Sequence, residues 1–155
     1  MTYLLIIFVV LVALAPLSHF VPSKRQRELA GLREHAAVNG LFVEFRELPG
    51  GARHAASDNA TGTTIYYGRR LPPSRQKAAR PLAWRRDGAQ WRCLDRSVET
   101  PQALAALPPE VLAASADEHS CGVYWQETGG VEVVDQIRQV LEAWSSQLRG
   151  RESGI

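Results

Sequence analysis

The stretch LAWRRDGAQWRC, residues 82–93, predicts a β-hairpin and is the strongest local fold signal in the chain. Asp87-Gly88 is a favoured dipeptide for a two-residue type I′ turn between antiparallel strands. Closing that turn pairs Trp84 with Trp91 on an apolar face, and such cross-strand aromatic contacts stabilise sheets. The opposite face would carry the polar side chains Arg85, Gln90 and Arg92. The hairpin therefore predicts an antiparallel sheet with one buried face.

The C-terminal helix is the next clear element. Over residues 131–148 apolar side chains recur at intervals of three and four residues, the period of an amphipathic helix. Gly150 follows as a stop signal. The repeating positions are Val134, Ile137, Leu141, Trp144 and Leu148.

Shorter segments predict the remaining elements and the fold class. Thr100-Pro101 predicts the start of a short helix that runs to Leu107, and residues 109–113 predict the start of another helical turn. The strands do not alternate with long crossover helices, so a parallel sheet is not expected. We expect an α+β fold, with a small antiparallel sheet of four or five strands packed by the C-terminal helix. The further predicted strands are residues 41–48, 63–67 and 122–126.

The N-terminal residues predict a membrane anchor. Residues 1–23 contain no charged side chain, although the 155-residue chain carries 18 Lys+Arg and 16 Asp+Glu. As a helix, the window from Tyr3 to Pro22 would rise about 30 Å, which matches the hydrocarbon core of a bilayer. We therefore expect a transmembrane helix within residues 1–22.

A cleaved signal peptide is the alternative interpretation of the same segment. Ala13-Leu14-Ala15 has the small-x-small pattern of a cleavage site. Two features oppose it: Met1-Thr2 lacks the basic residues of a signal-peptide n-region, and Pro16 would follow the cut. The uncleaved anchor is therefore preferred.

The flanks of the anchor predict its orientation. No basic side chain precedes it, whereas Lys24, Arg25 and Arg27 follow it directly. Loops rich in Lys and Arg remain in the cytoplasm. We therefore expect the N-terminus outside and residues 23–155 in the cytoplasm, where a Cys93–Cys121 disulfide is not expected.

Residues 23–40 predict a juxtamembrane amphipathic helix, ahead of a cytoplasmic α+β domain over residues 41–155. Ser23 and Gln26 have the spacing of a capping box, and Gly40 supplies a stop. The apolar stripe consists of Leu29, Leu32 and Ala36. This stripe would lie on the membrane surface or pack on the domain that follows, and both interpretations stay open.

The order of these motifs resembles that of a known family. A short N-terminal span is followed by PSKRQREL at residues 22–29, GLFVE at 40–44, YWQE at 124–127 and a terminal helix. This order resembles a family of small uncharacterised single-span proteobacterial membrane proteins, sometimes labelled preprotein translocase subunit YajC. The resemblance covers most of the chain and implies a place in the bacterial inner membrane. Likeness to authentic YajC is limited to the span and its basic flank, and implies an accessory role at the preprotein translocon.

A basic segment, residues 69–96, is the main surface feature that the sequence predicts. It holds nine Lys+Arg against Asp87 and Asp95. Three interpretations remain: a solvated face, a surface for anionic lipid headgroups, and a nucleic-acid surface. The last is the least favoured, because no exposed aromatic side chains are interleaved with the charges. Together with the flank of the span, the side chains predicted to meet a membrane surface are Lys24, Arg25, Arg27, Arg69, Arg70, Arg75, Lys77 and Arg80.

Candidate reactive groups are few. His119, Cys121 and Cys93 could supply three ligands to zinc, but structural zinc sites usually have four ligands with paired local spacing, and Cys93 is expected on the apolar face. Cys121 with His119 or His54 could form a thiol nucleophile and base, but nothing marks either histidine as that base. We therefore expect no catalytic residue, no metal and no cofactor.

These features predict a membrane-anchored, non-enzymatic adaptor that binds the lipid bilayer and an unidentified membrane or cytoplasmic protein. The alternative is an accessory subunit of the preprotein translocon, as the resemblance implies. Nucleic acid is not an expected partner.

Overall fold

The structure, a computed structural model, describes residues 1–14, 22–50, 64–73, 80–95 and 98–152. The chain divides into two compact units, Met1–Gly31 and Leu32–Ile155. The first unit contains helix α1 (Thr2–Leu14) and the start of helix α2 (Lys24–Val38). The second unit contains the rest of α2, a six-stranded sheet and the C-terminal helix.

Helix α1 does not support the predicted transmembrane anchor. It has 13 residues and none of them is buried. At 1.5 Å per residue it rises about 20 Å, short of the roughly 30 Å of a bilayer core. In the part of the chain that the structure describes, no helix combines the length and the apolar character needed to cross a membrane. This finding contradicts the anchor over residues 1–22. It also contradicts the single-pass inner-membrane location, with residues 23–155 in the cytoplasm, that rested on it.

Helix α2 begins and ends at the signals that the sequence predicts. The Ser23 N–H donates to Gln26 Oε1 at 2.8 Å and the Gln26 N–H donates to Ser23 Oγ at 3.2 Å, which is the reciprocal capping box. Gly40 follows the last turn with a φ of +79°, a conformation that favours glycine. Leu32 and Ala36 are buried in the second unit, so this part of the apolar stripe packs on the domain.

The second unit is built on an antiparallel sheet, as predicted, but with six strands rather than four or five. In chain order its strands are β1 (Phe42–Glu44), β2 (Ile65–Arg70), β3 (Leu82–Asp87), β4 (Gln90–Cys93), β5 (Val111–Ala116) and β6 (Ser120–Trp125). From one edge to the other the order is β1-β2-β6-β5-β3-β4. Each neighbouring pair runs antiparallel.

Helix α3 (Val131–Glu152) packs on one side of the sheet, which we call the helix face. It continues through Gly150, where the sequence predicts its end, because a glycine within a helix costs only about 1 kcal/mol. Four of its predicted apolar positions are fully buried: Val134, Ile137, Leu141 and Trp144.

Aromatic pairs hold the centre of the helix face together. Trp84 of β3 meets Trp144 of α3 edge to face, with ring centroids 5.5 Å apart. Tyr67 and Trp125 form a similar pair at 5.2 Å. Such contacts add about 0.5–1.5 kcal/mol each beyond the area they bury.

The opposite side of the sheet, which we call the second face, is covered in part by residues 45–50. The Arg46 guanidinium carbon lies 4.1 Å from the centroid of the Tyr66 ring. Leu48 packs against the same buried cluster, which also includes Tyr124. A chain segment rather than a helix therefore protects the apolar part of this face.

Glycines make room for the aromatic cluster of the second face. A Cβ atom at Gly68 or Gly122 would collide with the Tyr66 ring. Glycine in a strand interior commonly marks a close approach of this kind. The ring can therefore lie close to the strands only because both positions lack a side chain.

The hairpin forms, but its register differs from the prediction by two residues. Trp84 pairs with Cys93, and Arg86 pairs with Trp91. The turn is centred on Gly88-Ala89, and the positive φ of 59° at its glycine, with none at its alanine, is the pattern of a type II′ turn. Because the shift is even, each side chain keeps its predicted face.

Strand β5 is an element that the sequence does not predict. Its residues, VLAASA, have low strand propensity because alanine is depleted in strands, and a helical turn is predicted there instead. Ala113 lies opposite Tyr124, and Ala114 lies opposite Trp84. Both alanines are fully buried. Packing against large aromatic neighbours therefore outweighs local propensity at this strand.

A 3₁₀ helix, Gln102–Ala106, stands where the sequence predicts a short α-helix. Its N-cap position is Pro101, and no side chain caps it. The hydroxyl of Thr100, the predicted cap, instead donates to the Trp91 carbonyl at 3.4 Å.

Candidate functional site

The structure describes six of the eight basic side chains that are predicted to meet a membrane surface. Three are exposed in the first turn of α2, in the first unit: Lys24, Arg25 and Arg27. Three lie in the second unit, at the end of β2 or just before β3: Arg69, Arg70 and Arg80. Two lie outside the described residues: Arg75 and Lys77.

Strand geometry separates the described members of the basic segment. Arg69 lies on the helix face, where its Nη2 is 3.7 Å from Glu142 Oε1, whereas Arg70 lies on the second face beside Phe42. Strands β6 and β5 stand between β2 and β3, so about 14 Å separates the arginines of those two strands. The arginines of β2 and β3 therefore do not form one continuous basic surface.

The hairpin instead gathers a compact basic group. A cleft of about 370 Å³ lies beside it, which we call the hairpin cleft. Its lining residues are Arg85, Arg86, Asp87, Arg92 and Leu94. Arg85 and Arg92 turn their side chains to the second face with one aspartate, Asp87, so the lining on that face has a net positive charge.

Arg85 and Arg92 are direct cross-strand neighbours on the second face. Like charges in this position destabilise a sheet. Asp87 Oδ2 lies 3.3 Å from Arg92 Nη2, but these two side chains are 73% and 77% exposed. An ion pair so exposed contributes only about 0–1 kcal/mol. The repulsion between the two arginines is therefore only partly offset within the cleft.

Arg86 also borders the cleft, but its side chain turns to the helix face and is held there. One of its terminal nitrogens, Nη1, donates to the Pro108 carbonyl at 2.6 Å and to the Leu107 carbonyl at 3.3 Å. Its guanidinium carbon lies 5.5 Å from the centroid of the Trp91 ring. These contacts fix a positive charge without neutralising it.

Leu94 gives the cleft an apolar wall. Its backbone N–H donates to the Ala83 carbonyl at 2.9 Å, which extends the β3–β4 ladder past the end of the strand. Its side chain is 43% exposed. The sequence does not predict Leu94 as a site residue. It does predict Arg85 and Arg92 on one face of the hairpin, and that pattern could have located the cleft.

A second arginine-lined cavity, of about 250 Å³, is balanced in charge. Arg46 and Arg70 line it together with Glu44, Asp117 and His119. Arg46 Nε is 2.7 Å from Glu44 Oε2, and its Nη1 is 3.8 Å from Asp117 Oδ2. The hairpin cleft therefore has a larger excess of positive charge than this cavity.

Glu127 forms a buried ionic contact that belongs to the scaffold. It is 3% exposed and accepts hydrogen bonds from Arg33 Nε at 2.8 Å, Arg33 Nη2 at 2.6 Å and Tyr67 Oη at 2.9 Å. The hydrogen bond to Glu127 raises the pKa of Arg33, and burial raises the pKa of Tyr67. The three groups satisfy one another and join α2 to the sheet, so we assign them a structural role.

The two cysteines are free and lie on different strands. Cys121 faces α3, with its Sγ 4.0 Å from the Leu141 carbonyl, and burial raises the pKa of its thiol to about 12. Cys93 is half-buried opposite Trp84. Over the ranges that the structure describes, which exclude His54, no three His, Cys, Asp or Glu side chains are grouped to hold a metal.

Comparison of the chain with protein-family models, with curated proteins and with solved structures found no match. The resemblance to the proteobacterial membrane-protein family, and through it to YajC, therefore stays a prediction.

Proposed function

We propose that this protein is a non-enzymatic adaptor that binds an acidic segment of a partner protein in the hairpin cleft. The observation that carries the proposal is the cross-strand pair Arg85–Arg92 in a cleft with one acidic lining residue. A carboxylate-rich segment would offset the repulsion between these guanidinium groups. The planar fork of arginine also suits carboxylates, which it can bind through two parallel hydrogen bonds.

The composition of the cleft rim favours a protein as the partner. Leu94 is partly exposed and lines the cleft together with Arg85 and Arg92. Arginine and aromatic side chains are enriched in protein interfaces, where apolar surface adds to charge recognition. A lipid headgroup or a nucleic-acid backbone would use the charges but not this apolar wall.

The positions of the reactive side chains favour binding over catalysis. Cys121 is buried, and a thiol whose pKa is about 12 is a poor nucleophile near neutral pH. His35 Nε2 is 2.9 Å from Asp135 Oδ1 on the surface of the domain. Neither side chain lines the hairpin cleft.

The test is a fluorescence-anisotropy titration of the full chain with fluorescein-labelled octaglutamate at low salt. Arg85→Gln with Arg92→Gln should weaken binding about tenfold, because two exposed charge pairs of about 0.7 kcal/mol each amount to about 1.4 kcal/mol. The matched control, Arg70→Gln with Arg80→Gln, removes the same charge elsewhere and should change the affinity less than twofold.

Two results would contradict the proposal. Equally weakened binding in both double variants would mean that the peptide responds to the total charge of the protein and does not bind specifically in the hairpin cleft. Tighter binding of vesicles containing phosphatidylglycerol, or of an oligodeoxythymidine, through the same two arginines would replace the protein partner with a lipid or a nucleic acid.

A further inference from the structure

The hairpin cleft lies beside β4, a strand at one edge of the sheet. Strand β4 stands last in the strand order, so no described strand pairs with its outer side. The Leu94 N–H bonds to the Ala83 carbonyl of β3. Hydrogen-bonded and non-hydrogen-bonded pairs alternate along an antiparallel ladder, so the backbone groups of Trp91 and Cys93 point outward.

In the described residues, the 3₁₀ helix Gln102–Ala106 contacts β4, and a long hydrogen bond from Thr100 reaches its outer edge. The Thr100 hydroxyl donates to the Trp91 carbonyl at 3.4 Å, well beyond the usual length of such a bond. Exposed edge strands are templates for pairing with another chain. The edge of β4 therefore offers backbone groups beside the charged cleft.

Side-chain alternation along β4 would impose a pattern on any added strand. Arg92 is exposed on the second face, next to Arg85, whereas Trp91 and Cys93 lie on the helix face. Residues of an added strand would also alternate between the two faces. Only every second side chain of that strand could therefore reach the arginines.

We propose that the acidic segment binds as an added antiparallel strand on β4, with acidic side chains at alternate positions beside Arg92. This inference rests on the proposed function of the hairpin cleft and names the form of its partner. Backbone hydrogen bonds would supply affinity, and the alternating acids would supply specificity, as in other cases of strand addition. The antiparallel direction follows that of every strand pair described in this sheet.

Antiparallel pairing with β4 determines which backbone N–H groups of the peptide bond to the protein and therefore must not be methylated. The residue opposite Arg92 occupies a non-hydrogen-bonded pair, so its backbone points away from β4. The residues opposite Trp91 and Cys93 point their N–H and C=O groups toward β4. In an alternating Glu-Thr octapeptide, the threonine amides should thus bond to the protein and the glutamate amides should not.

The experiment compares three labelled octapeptides with the full chain: alternating Glu-Thr, the same peptide N-methylated at every threonine, and the same peptide N-methylated at every glutamate. Methylation of the threonine amides should weaken binding at least tenfold, and methylation of the glutamate amides less than threefold. Methylating a whole set prevents the peptide from avoiding the change by slipping two residues.

A protein variant gives an independent measurement. Cys93→Pro removes an N–H that faces outward, and an edge strand tolerates proline at such a position. The substitution should weaken binding of the Glu-Thr peptide at least fivefold. Cys93→Ser is the matched control and should change the affinity less than twofold. If Cys93→Pro fails to fold, the methylated peptides still decide the question.

The outcomes separate this inference from the proposed function. Equal effects of the two methylated sets, or a loss confined to the glutamate amides, overturn the antiparallel strand while octaglutamate binding through Arg85 and Arg92 still stands. Failure of the unmethylated Glu-Thr peptide and of octaglutamate to bind overturns both.

Discussion

Glu127 is tightly constrained by its surroundings. It is buried, adopts a φ of +53° and holds its carboxylate oxygens against Arg33 and Tyr67. A left-handed φ at a residue other than glycine costs about 1–3 kcal/mol and persists only where surrounding contacts enforce it. The bidentate contact with Arg33 is therefore expected to contribute substantially to stability.

Glu127→Gln should lower the free energy of unfolding by about 2–3 kcal/mol, because charge-assisted hydrogen bonds are lost and Arg33 keeps no carboxylate. Urea denaturation measures this loss. Glu142→Gln is the control, since that side chain is 54% exposed and its contacts with Arg69 and Arg138 are 3.7 Å and 3.5 Å. It should cost less than about 1 kcal/mol. Similar losses for both variants would contradict a special role for the buried contact.

Two glycine-to-alanine substitutions should change the free energy of unfolding in opposite directions. Gly122→Ala places a Cβ against Tyr66 and the Tyr67 carbonyl, and overpacking of this kind costs about 1–3 kcal/mol. Gly31→Ala, within α2, meets nothing within 4 Å and should stabilise by about 0.5–1 kcal/mol. The same denaturation assay compares them, and a stabilising Gly122→Ala would show that the second face is less tightly packed than described.

At the scale of elements, the register of the hairpin is directly measurable. Non-hydrogen-bonded pairs bring Cα atoms to about 4.5 Å, which gives strong Hα–Hα contacts in nuclear Overhauser spectra. We expect such contacts between Trp84 and Cys93 and between Arg86 and Trp91. An Hα–Hα contact between Arg85 and Gln90, a non-hydrogen-bonded pair in the register that the Asp87-Gly88 turn predicts, would instead support that register.

The sequence predicts an element well where local and tertiary preferences agree. Residues of α3 repeat at helical spacing and are buried at that spacing, and the capping box that opens α2 is formed. Both signals are local, so a single chain segment contains them. The faces of the hairpin were predictable for the same reason, since a strand alternates whatever its register.

The sequence predicts less where distant residues decide. Strand β5 is alanine-rich because Trp84 and Tyr124 need small neighbours, and no local pattern contains that information. The anchor prediction counted an uncharged window, whereas α1 ends at Leu14. The basic segment was a run in sequence that the strand order divides, so the hairpin cleft emerged only once β3 and β4 were paired.

At the scale of the whole second unit, Cys121 should report unfolding. It lies under α3, and burial raises the pKa of its thiol to about 12. In the Cys93→Ser variant, iodoacetamide at pH 8 should modify Cys121 only as fast as the unit opens, and added urea should accelerate the reaction in parallel with unfolding. Mass spectrometry measures the rate. Rapid alkylation without urea would contradict the burial of this strand.

The central claim is that the hairpin cleft, rather than the total charge of the chain, recognises an acidic partner. The most direct measurement is a nuclear magnetic resonance titration of the ¹⁵N-labelled full chain with octaglutamate. We expect the largest chemical-shift changes at Arg85, Arg92 and Leu94, and smaller changes at the Trp91 indole N–H. Shifts of equal size at Lys24–Arg27 or at Arg70, or the largest shifts there, would contradict the assignment of the cleft.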